Sequence, residues 1–211
     1  LYFTADQGIY DQGRSTNLWK SDGTSAGTVR FDDVYYPSNL TSFGGALIFS
    51  AFDSDHGYEI WKSDGTAAGT AIIKDTIDSS EFGSFPSMYT EVGGNLFFVT
   101  AGTFASGVGD DLWKTDGTEA GTMHVKMIIP PGSLSSGPGW LTDVGGTLFF
   151  TADVNYGEPW LWKSDGTEAG TLPVSALPIG RQLHGLMPVG NTLFVAVQNE
   201  LWKSDGTAAG T

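Results

Sequence analysis

The sequence lacks cysteine and is poor in charged residues. None of its 211 residues is Cys, which excludes disulfide bonds, thiolate metal sites and cysteine nucleophiles. Charged residues make up only 16% of the chain, and the ten Lys and Arg residues are outnumbered by 24 Asp and Glu residues. The formal net charge of −14 disfavours non-specific binding to nucleic acid or to an anionic membrane surface.

Long hydrophobic runs and clustered histidines are also missing. The sequence has no apolar stretch long enough to span a bilayer, so we expect no membrane insertion. The three histidines, His56, His124 and His184, lie far apart, and their spacing gives no signature of a metal site or of a nucleophile and base pair. The chain begins with Leu-Tyr-Phe and shows no signal peptide, which suggests a piece of a longer protein.

An eleven-residue motif occurs five times, and eight of its positions are identical in all five copies. The copies read LWKSDGTSAGT (18–28), IWKSDGTAAGT (60–70), LWKTDGTEAGT (112–122), LWKSDGTEAGT (161–171) and LWKSDGTAAGT (201–211). Successive Trp residues of the motif are 42, 52, 49 and 40 residues apart. Repeats of this length are typical of the four-stranded blades of a β-propeller, so the sequence predicts an all-β fold.

Each repeat can be divided into four antiparallel strands, A to D. Strand A ends at a Gly-Gly or Gly-Asn turn, strand B is almost continuously apolar, strand C carries the Trp, and an Asp-Gly turn leads to strand D. The chain is then a single propeller domain over 1–211, or a fragment of a larger propeller, in which the first repeat lacks strand A and the last lacks strand D. The expected blades are 1–33, 38–75, 86–127, 138–175 and 183–211.

The motif resembles the ELWxxDGT repeat family of large secreted or surface-associated bacterial proteins. The best match is HGYEIWKSDGTAAGT at 56–70, which also carries the Glu that often precedes the Trp in that family. The resemblance implies a β-propeller located outside the cell or on its surface, with the signal peptide outside this chain. It implies no catalytic activity.

The repeated Trp and Asp residues allow two interpretations each. The Trp could stack on sugars, but one large ring at the same place in every blade favours packing between blades. The Asp could be a metal ligand or a catalytic carboxylate, but an Asp followed by Gly is typical of a hairpin turn. The residues concerned are Trp19, Asp22, Trp61, Asp64, Trp113, Asp116, Trp162, Asp165, Trp202 and Asp205.

The strongest candidate for a cation site is the stretch 53–59, where Asp53, Asp55 and Glu59 surround a Gly. Calcium is bound by carboxylate oxygens at alternating positions of this kind, although the stretch is too short for a complete calcium-binding loop. The alternatives are therefore a bound calcium ion or a solvated acidic loop. No other cofactor is expected.

Variable loops between strands B and C, and between strand D and the next strand A, predict where a ligand would bind. The A–B and C–D turns repeat the same residues, whereas the loops at the opposite face differ in length and sequence, and binding residues concentrate on such loops. The aromatic and cationic residues predicted to bind are Tyr10, Arg14, Tyr58, Phe104, Tyr156 and Trp160.

The repeat, its resemblance and its variable loops suggest three functions. The leading one is a non-enzymatic extracellular scaffold or adhesion module that binds protein or polysaccharide at the cell surface and can self-associate. The second is a lectin with sites between blades. The third is a propeller glycosidase using Glu91 and Asp143, which the sequence disfavours because both carboxylates lie beside Gly-Gly turns.

Overall fold

The structure is a computed structural model that describes residues 1–6, 16–77, 83–101, 110–131, 137–153, 159–176 and 183–211. Within these residues the chain forms seventeen strands, and the sheets are antiparallel, so the all-β prediction is confirmed. No helix in the described segments is long and apolar enough to cross a membrane. Contacts divide the chain into two compact units, Leu1–Ser87 with Gly117–Thr122, and Met88–Asp116 with Met123–Thr211.

A six-stranded antiparallel sheet dominates the first unit, with its strands in sequence order. The sheet consists of β1 (Tyr2–Asp6), β2 (Thr16–Lys20), β3 (Val29–Phe43), β4 (Ala46–Asp53), β5 (Gly57–Ser63) and β6 (Ala71–Lys74). Strand β3 covers two segments that the sequence assigned to separate strands. Its first half pairs with β2 and its second half with β4.

The length of β3 follows from where its apolar residues fall. Phe31, Val34 and Pro37 are buried, and their spacing of three does not match the two-residue period of a flat strand. The ladder shifts register between Tyr35 and Ser38, and Tyr36 has a φ of 51°. These irregularities, which resemble β-bulges, let one strand serve two neighbours.

Three smaller antiparallel sheets follow along the chain. The first is ordered β10-β9-β8-β7, the second β11-β12-β13-β14, and the third β15-β16-β17. The strands are β7 (Ser87–Val92), β8 (Asn95–Thr100), β9 (Asp110–Thr115), β10 (Met123–Ile129), β11 (Gly139–Val144), β12 (Thr147–Asp153), β13 (Pro159–Ser164), β14 (Leu172–Ala176), β15 (Leu183–Val189), β16 (Thr192–Val197) and β17 (Glu200–Ser204). No sheet among these strands closes on itself.

The core of each unit is built from the apolar second strands of the repeats. Phe49 of β4, Phe98 of β8 and Phe150 of β12 are fully buried, as expected for strands packed on both faces. Each of these rings stacks on the Trp of its own repeat, for example Phe150 on Trp162 at a centroid distance of 5.9 Å. Of the repeated Trp residues, Trp61 and Trp162 are buried and Trp19, Trp113 and Trp202 are partly exposed.

Candidate functional site

The Asp-Gly-Thr turn between the third and fourth strands of a repeat is a closed network of hydrogen bonds. Asp165 Oδ1 accepts bonds from Thr167 N at 2.9 Å and from Thr167 Oγ1 at 2.7 Å. Thr167 Oγ1 in turn accepts a bond from Gly170 N at 2.9 Å. Gly166 has a φ of 85°, which a residue with a Cβ adopts at a cost.

The same network recurs in other copies of the motif. The Oδ1 atoms of Asp22, Asp64 and Asp205 accept the corresponding pair of bonds at 2.7 to 2.9 Å. The hydrogen bond from the Thr side chain lowers the pKa of each of these carboxyls. In these four copies of the motif, the Oδ1 atom of the Asp is therefore engaged in its own turn.

A pocket of about 130 Å³ lies at this turn end in the second unit. It is lined by the Gly-Gly turns after β7 and β11, by Phe97 and Asn95 of β8, by Lys114 of β9, and by Ser164, Asp165 and Gly166. The lining is mostly polar, and the Lys114 ammonium group faces the Asp165 turn. Such a pocket suits a small polar group rather than a hydrophobic ligand.

Four aromatic rings cluster at the opposite end of the six-stranded sheet, where β4 leads to β5. Tyr58 is the centre of this aromatic cluster. Its ring stacks on Phe85 at 4.7 Å, and it lies 5.3 Å from Phe52 and 6.4 Å from Tyr36. All four side chains are partly exposed, Tyr36 at 39%.

The backbone of the aromatic cluster is held in unusual conformations. Tyr36 and Phe85 have φ angles of 51° and 49°, in the left-handed region that bulky residues rarely adopt. Tyr58 O accepts hydrogen bonds from Ser84 N at 2.7 Å and Phe85 N at 3.2 Å. Gly83 packs so closely on the Tyr58 backbone that a Cβ has no room. Strained bulky residues of this kind concentrate at binding sites.

Glu59, the residue after Tyr58, is fully buried beneath this end of the sheet. Its Oε2 atom accepts hydrogen bonds from Thr76 N at 3.1 Å, Thr76 Oγ1 at 2.7 Å and Ser84 Oγ at 2.8 Å. Among the described atoms its Oε1 has no hydrogen-bond partner. Burial raises the pKa of Glu59 to about 7, although these bonds oppose the shift.

The three residues predicted as calcium ligands have different partners. Asp53 accepts hydrogen bonds from Asp55 N at 2.9 Å and His56 N at 2.7 Å, and it contacts His56 Nδ1 at 2.9 Å. Burial acts to raise the pKa of Asp53, but its bonds with His56 outweigh this and lower it. Glu59 bonds instead to Thr76 and Ser84. No three His, Cys, Asp or Glu side chains in the described part of the chain are grouped to hold a metal ion.

Two of the six residues predicted to bind a ligand lie among the described residues. Tyr10, Arg14, Phe104 and Tyr156 lie outside the described residues. Tyr58 lies in the aromatic cluster. Trp160 of β13 packs half-buried against the core of the second unit.

The sequence alone does not predict three members of the aromatic cluster, namely Tyr36, Phe52 and Phe85. The adjacent Tyr35-Tyr36 pair and the Phe85-Pro86 step were the available signals, because aromatic residues between strands are unusual in a solvated connection. The sequence did not show that these segments meet at Tyr58.

Comparisons with solved structures find similar folds. The chain resembles an acylaminoacyl peptidase from Pyrococcus horikoshii (TM-score 0.54, 14% identity), covering 92% of this chain and 30% of that one. It also resembles a puromycin hydrolase (TM-score 0.54, 14% identity), covering 92% and 32%. A structure from a study of two prolyl endopeptidases gives a TM-score of 0.57 at 10% identity, covering 100% and 32%.

These likenesses concern the fold alone. The peptidase neighbours match through their β-propeller domains, and this chain spans about a third of the length of each of the three matched chains. No family model and no curated protein matches the chain. The comparisons thus support a β-propeller-like arrangement of antiparallel sheets.

Proposed function

We propose that this chain is an ELWxxDGT-type module of five consecutive propeller blades that acts outside the cell or on its surface as a non-enzymatic scaffold or adhesion module. It binds protein or polysaccharide through the loop ends of its sheets. The observation that carries this proposal is the partly exposed aromatic cluster of Tyr36, Phe52, Tyr58 and Phe85.

The chemistry of the aromatic cluster suits recognition. Tyr rings offer a large apolar surface with a polar tip and lose little conformational entropy when they bind. The stacking of Tyr58 on Phe85 and the close contact at Gly83 hold the rings in place in the unbound state. A preorganised surface of this kind reduces the entropic cost of binding.

The charges around the aromatic cluster indicate what kind of partner it binds. Asp55 and Asp75 are exposed close by, and the electrostatic field of both acts on His56. Because this rim is acidic and the whole chain carries a charge of −14, acidic polysaccharides are disfavoured. The partner is therefore a neutral polysaccharide or a protein surface without an acidic patch.

Two tyrosines of β3 provide a matched test. Tyr35 and Tyr36 are both 39% exposed, but among the described rings only Tyr36 belongs to the aromatic cluster. The chain is applied to immobilised mannan, xylan, cellulose, alginate, collagen and fibronectin. For whichever of these retains the chain, we expect Tyr36→Asn to weaken binding about tenfold or more, the loss typical of an interface hot spot. Asn is chosen because it tolerates a positive φ.

The control variant Tyr35→Asn should leave binding within about twofold of the original value, since a peripheral contact contributes little. Equal losses in the two variants, or retention on alginate alone, would contradict the proposal.

A lectin with sites between blades is the second candidate, and the polar pocket at Lys114 and Asp165 favours it. In that case Asn95→Ala should abolish glycan binding while Tyr36→Asn leaves it intact. Saturation at several glycan equivalents per chain would support this candidate over the first.

The glycosidase alternative has little support in the geometry. Glu91 and Asp143 are both exposed, and Asp143 Oδ1 accepts a hydrogen bond from Gly146 N at 2.9 Å within its own turn. Hydrolysis of a carbohydrate panel that is lost in Glu91→Gln or Asp143→Asn would overturn the non-enzymatic proposal.

A further inference from the structure

The segment 83–86 is held on the first unit in a conformation that it does not favour by itself. Ser84 N and Phe85 N donate hydrogen bonds to Tyr58 O at 2.7 and 3.2 Å, and Gly83 pairs with Tyr58 in an isolated parallel bridge. Phe85 has a φ of 49°. A bulky residue keeps such a backbone conformation only where its surroundings impose it, so the segment depends on the groups that hold it.

The buried carboxyl of Glu59 is one of these groups. Its Oε2 atom accepts hydrogen bonds from Ser84 Oγ at 2.8 Å and from Thr76 Oγ1 at 2.7 Å, and both Glu59 and Ser84 are fully buried. Its Oε1 atom has no hydrogen-bond partner among the described atoms. No Lys, Arg or His in the described segments forms an ion pair with Glu59. An ionised Glu59 is therefore a buried charge without a counterion, which is unfavourable.

Opening of the segment removes this penalty. When Ser84 moves away, water reaches the Glu59 carboxyl and solvates its charge. The neutral carboxyl therefore favours the closed segment, and the ionised carboxyl favours the open one. Pro86 is the fixed end of this movement, because its carbonyl oxygen accepts hydrogen bonds from Ser50 Oγ and Asn39 Nδ2, neither of which involves Glu59.

The transition between the two forms lies near neutral pH. Burial raises the pKa of Glu59 to about 7, and the charge of Asp75 raises it further. The hydrogen bond with Asp53 raises the pKa of His56, so His56 is a second group that titrates in this range. The titratable and charged residues around Glu59 in the described part of the chain are Tyr36 of β3, Asp53 of β4, Asp55 and His56 between β4 and β5, Tyr58 of β5, Lys74 of β6 and Asp75 after it.

We propose that Glu59 is a pH-sensitive latch for the aromatic cluster, whose neutral carboxyl keeps Phe85 on Tyr58 and whose ionisation releases the segment 83–85. The inference rests on the proposed function, because a released segment withdraws Phe85 from the surface that binds the partner. The cluster is complete in mildly acidic solution and loses this ring in mildly alkaline solution. Binding through the cluster is therefore tighter in acid than in alkali.

Amide hydrogen exchange of the full chain, followed residue by residue and corrected for the intrinsic exchange rates, tests the latch without any partner. We expect the protection of the Ser84 and Phe85 amides to fall about thirtyfold between pH 5.5 and pH 8.5. The amides of β4, the central strand between β3 and β5, should stay more protected than Phe85 at pH 8.5. An unchanged protection of Phe85, or a protection equal to that of β4 at pH 8.5, overturns the proposal.

Two variants assign the effect to one group. Glu59→Gln has the shape of the neutral carboxyl and cannot ionise, so its Ser84 and Phe85 amides should keep their protection at pH 8.5 within about threefold. The control His56→Gln removes the other group that titrates near neutral pH and should retain the full fall. A fall that persists in Glu59→Gln, or that disappears in His56→Gln, contradicts the assignment to Glu59.

Retention on the surface that binds the chain measures the consequence for the partner. We expect the original chain to be retained about tenfold less well at pH 8.5 than at pH 5.5, and Glu59→Gln to be retained equally at both. The same pH dependence in both chains overturns the latch. Because hydrogen exchange needs no partner, a chain that exchanges as expected but is retained on no surface contradicts the proposed function and not the latch.

Discussion

The turn ends and the loop ends of the sheets use carboxylates in opposite ways. At the turn ends, Asp22, Asp64, Asp165 and Asp205 make the same two bonds to a Thr, and their pKa values are lowered. At the loop end of β5, Glu59 is buried and its pKa is raised to about 7. The turn ends stabilise the fold in the same way in each of these repeats. The differences between repeats that can specify a partner therefore lie at the loop ends.

The pH dependence of stability separates the two kinds of carboxylate. The folded pKa of Glu59 lies above its unfolded value, so the folded state binds the extra proton between about pH 4.5 and 7. The free energy of unfolding should therefore fall as the pH rises through this range, by on the order of 3 kcal/mol relative to Glu59→Gln. Urea denaturation at several pH values measures this difference.

Glu200 is the control for this experiment, because it occupies the same position in the last repeat but is exposed. Glu200→Gln should leave the pH dependence of the original chain intact. If the free energy of unfolding of Glu59→Gln still falls as the pH rises, the Glu59 carboxyl does not titrate as described.

A smaller effect is expected from the hydrogen bond between the turn Gly and the Ser of the motif, which is buried in one copy and more exposed in another. Ser164 is buried, and its Oγ accepts a hydrogen bond from Gly166 N at 3.0 Å and pairs with Thr171 Oγ1 at 2.7 Å. Ser164→Ala leaves the buried Gly166 N–H without this hydrogen bond, in a place where water cannot replace it. The substitution should therefore lower the free energy of unfolding by about 1–3 kcal/mol. Thermal or urea unfolding measures the loss.

Ser21 makes the same bonds at 3.0 and 2.7 Å, but its turn is more exposed. Water can replace the lost bond there, so Ser21→Ala should cost less than about 1 kcal/mol. Equal losses at the two sites would show that burial does not decide the strength of the turn.

The smallest effect concerns the lysine between repeats. Lys163→Met removes the bond to Gly206 O and should lower the free energy of unfolding by about 0.5–1.5 kcal/mol. Lys203 is exposed and makes no such bond among the described residues, so Lys203→Met should change the free energy of unfolding little. A larger loss at Lys203 than at Lys163 would show that the bond to the next turn does not account for the effect.

Much of the sheet architecture could be predicted from the repeat. The sequence predicts that the first strand of a repeat ends at a Gly-Gly turn, and β7 and β11 end there, because hydrophobic periodicity and Gly-Gly turns are local signals. The continuity of β3 could not be predicted, because it depends on two bulges and on pairing with both neighbours. The aromatic cluster was missed for a similar reason, since Phe85 reaches Tyr58 through a backbone contact between distant segments.

One pair of variants separates binding at the aromatic cluster from stability at the turn ends most directly. The surface that retains the original chain, among the polysaccharides and matrix proteins above, is the probe, and melting temperature is measured on the same samples. We expect Tyr36→Asn to lose retention on this surface with little change in melting temperature, and Ser164→Ala to melt at a lower temperature while it keeps its retention. Loss of retention in Ser164→Ala but not in Tyr36→Asn would contradict the assignment of binding to the loop end.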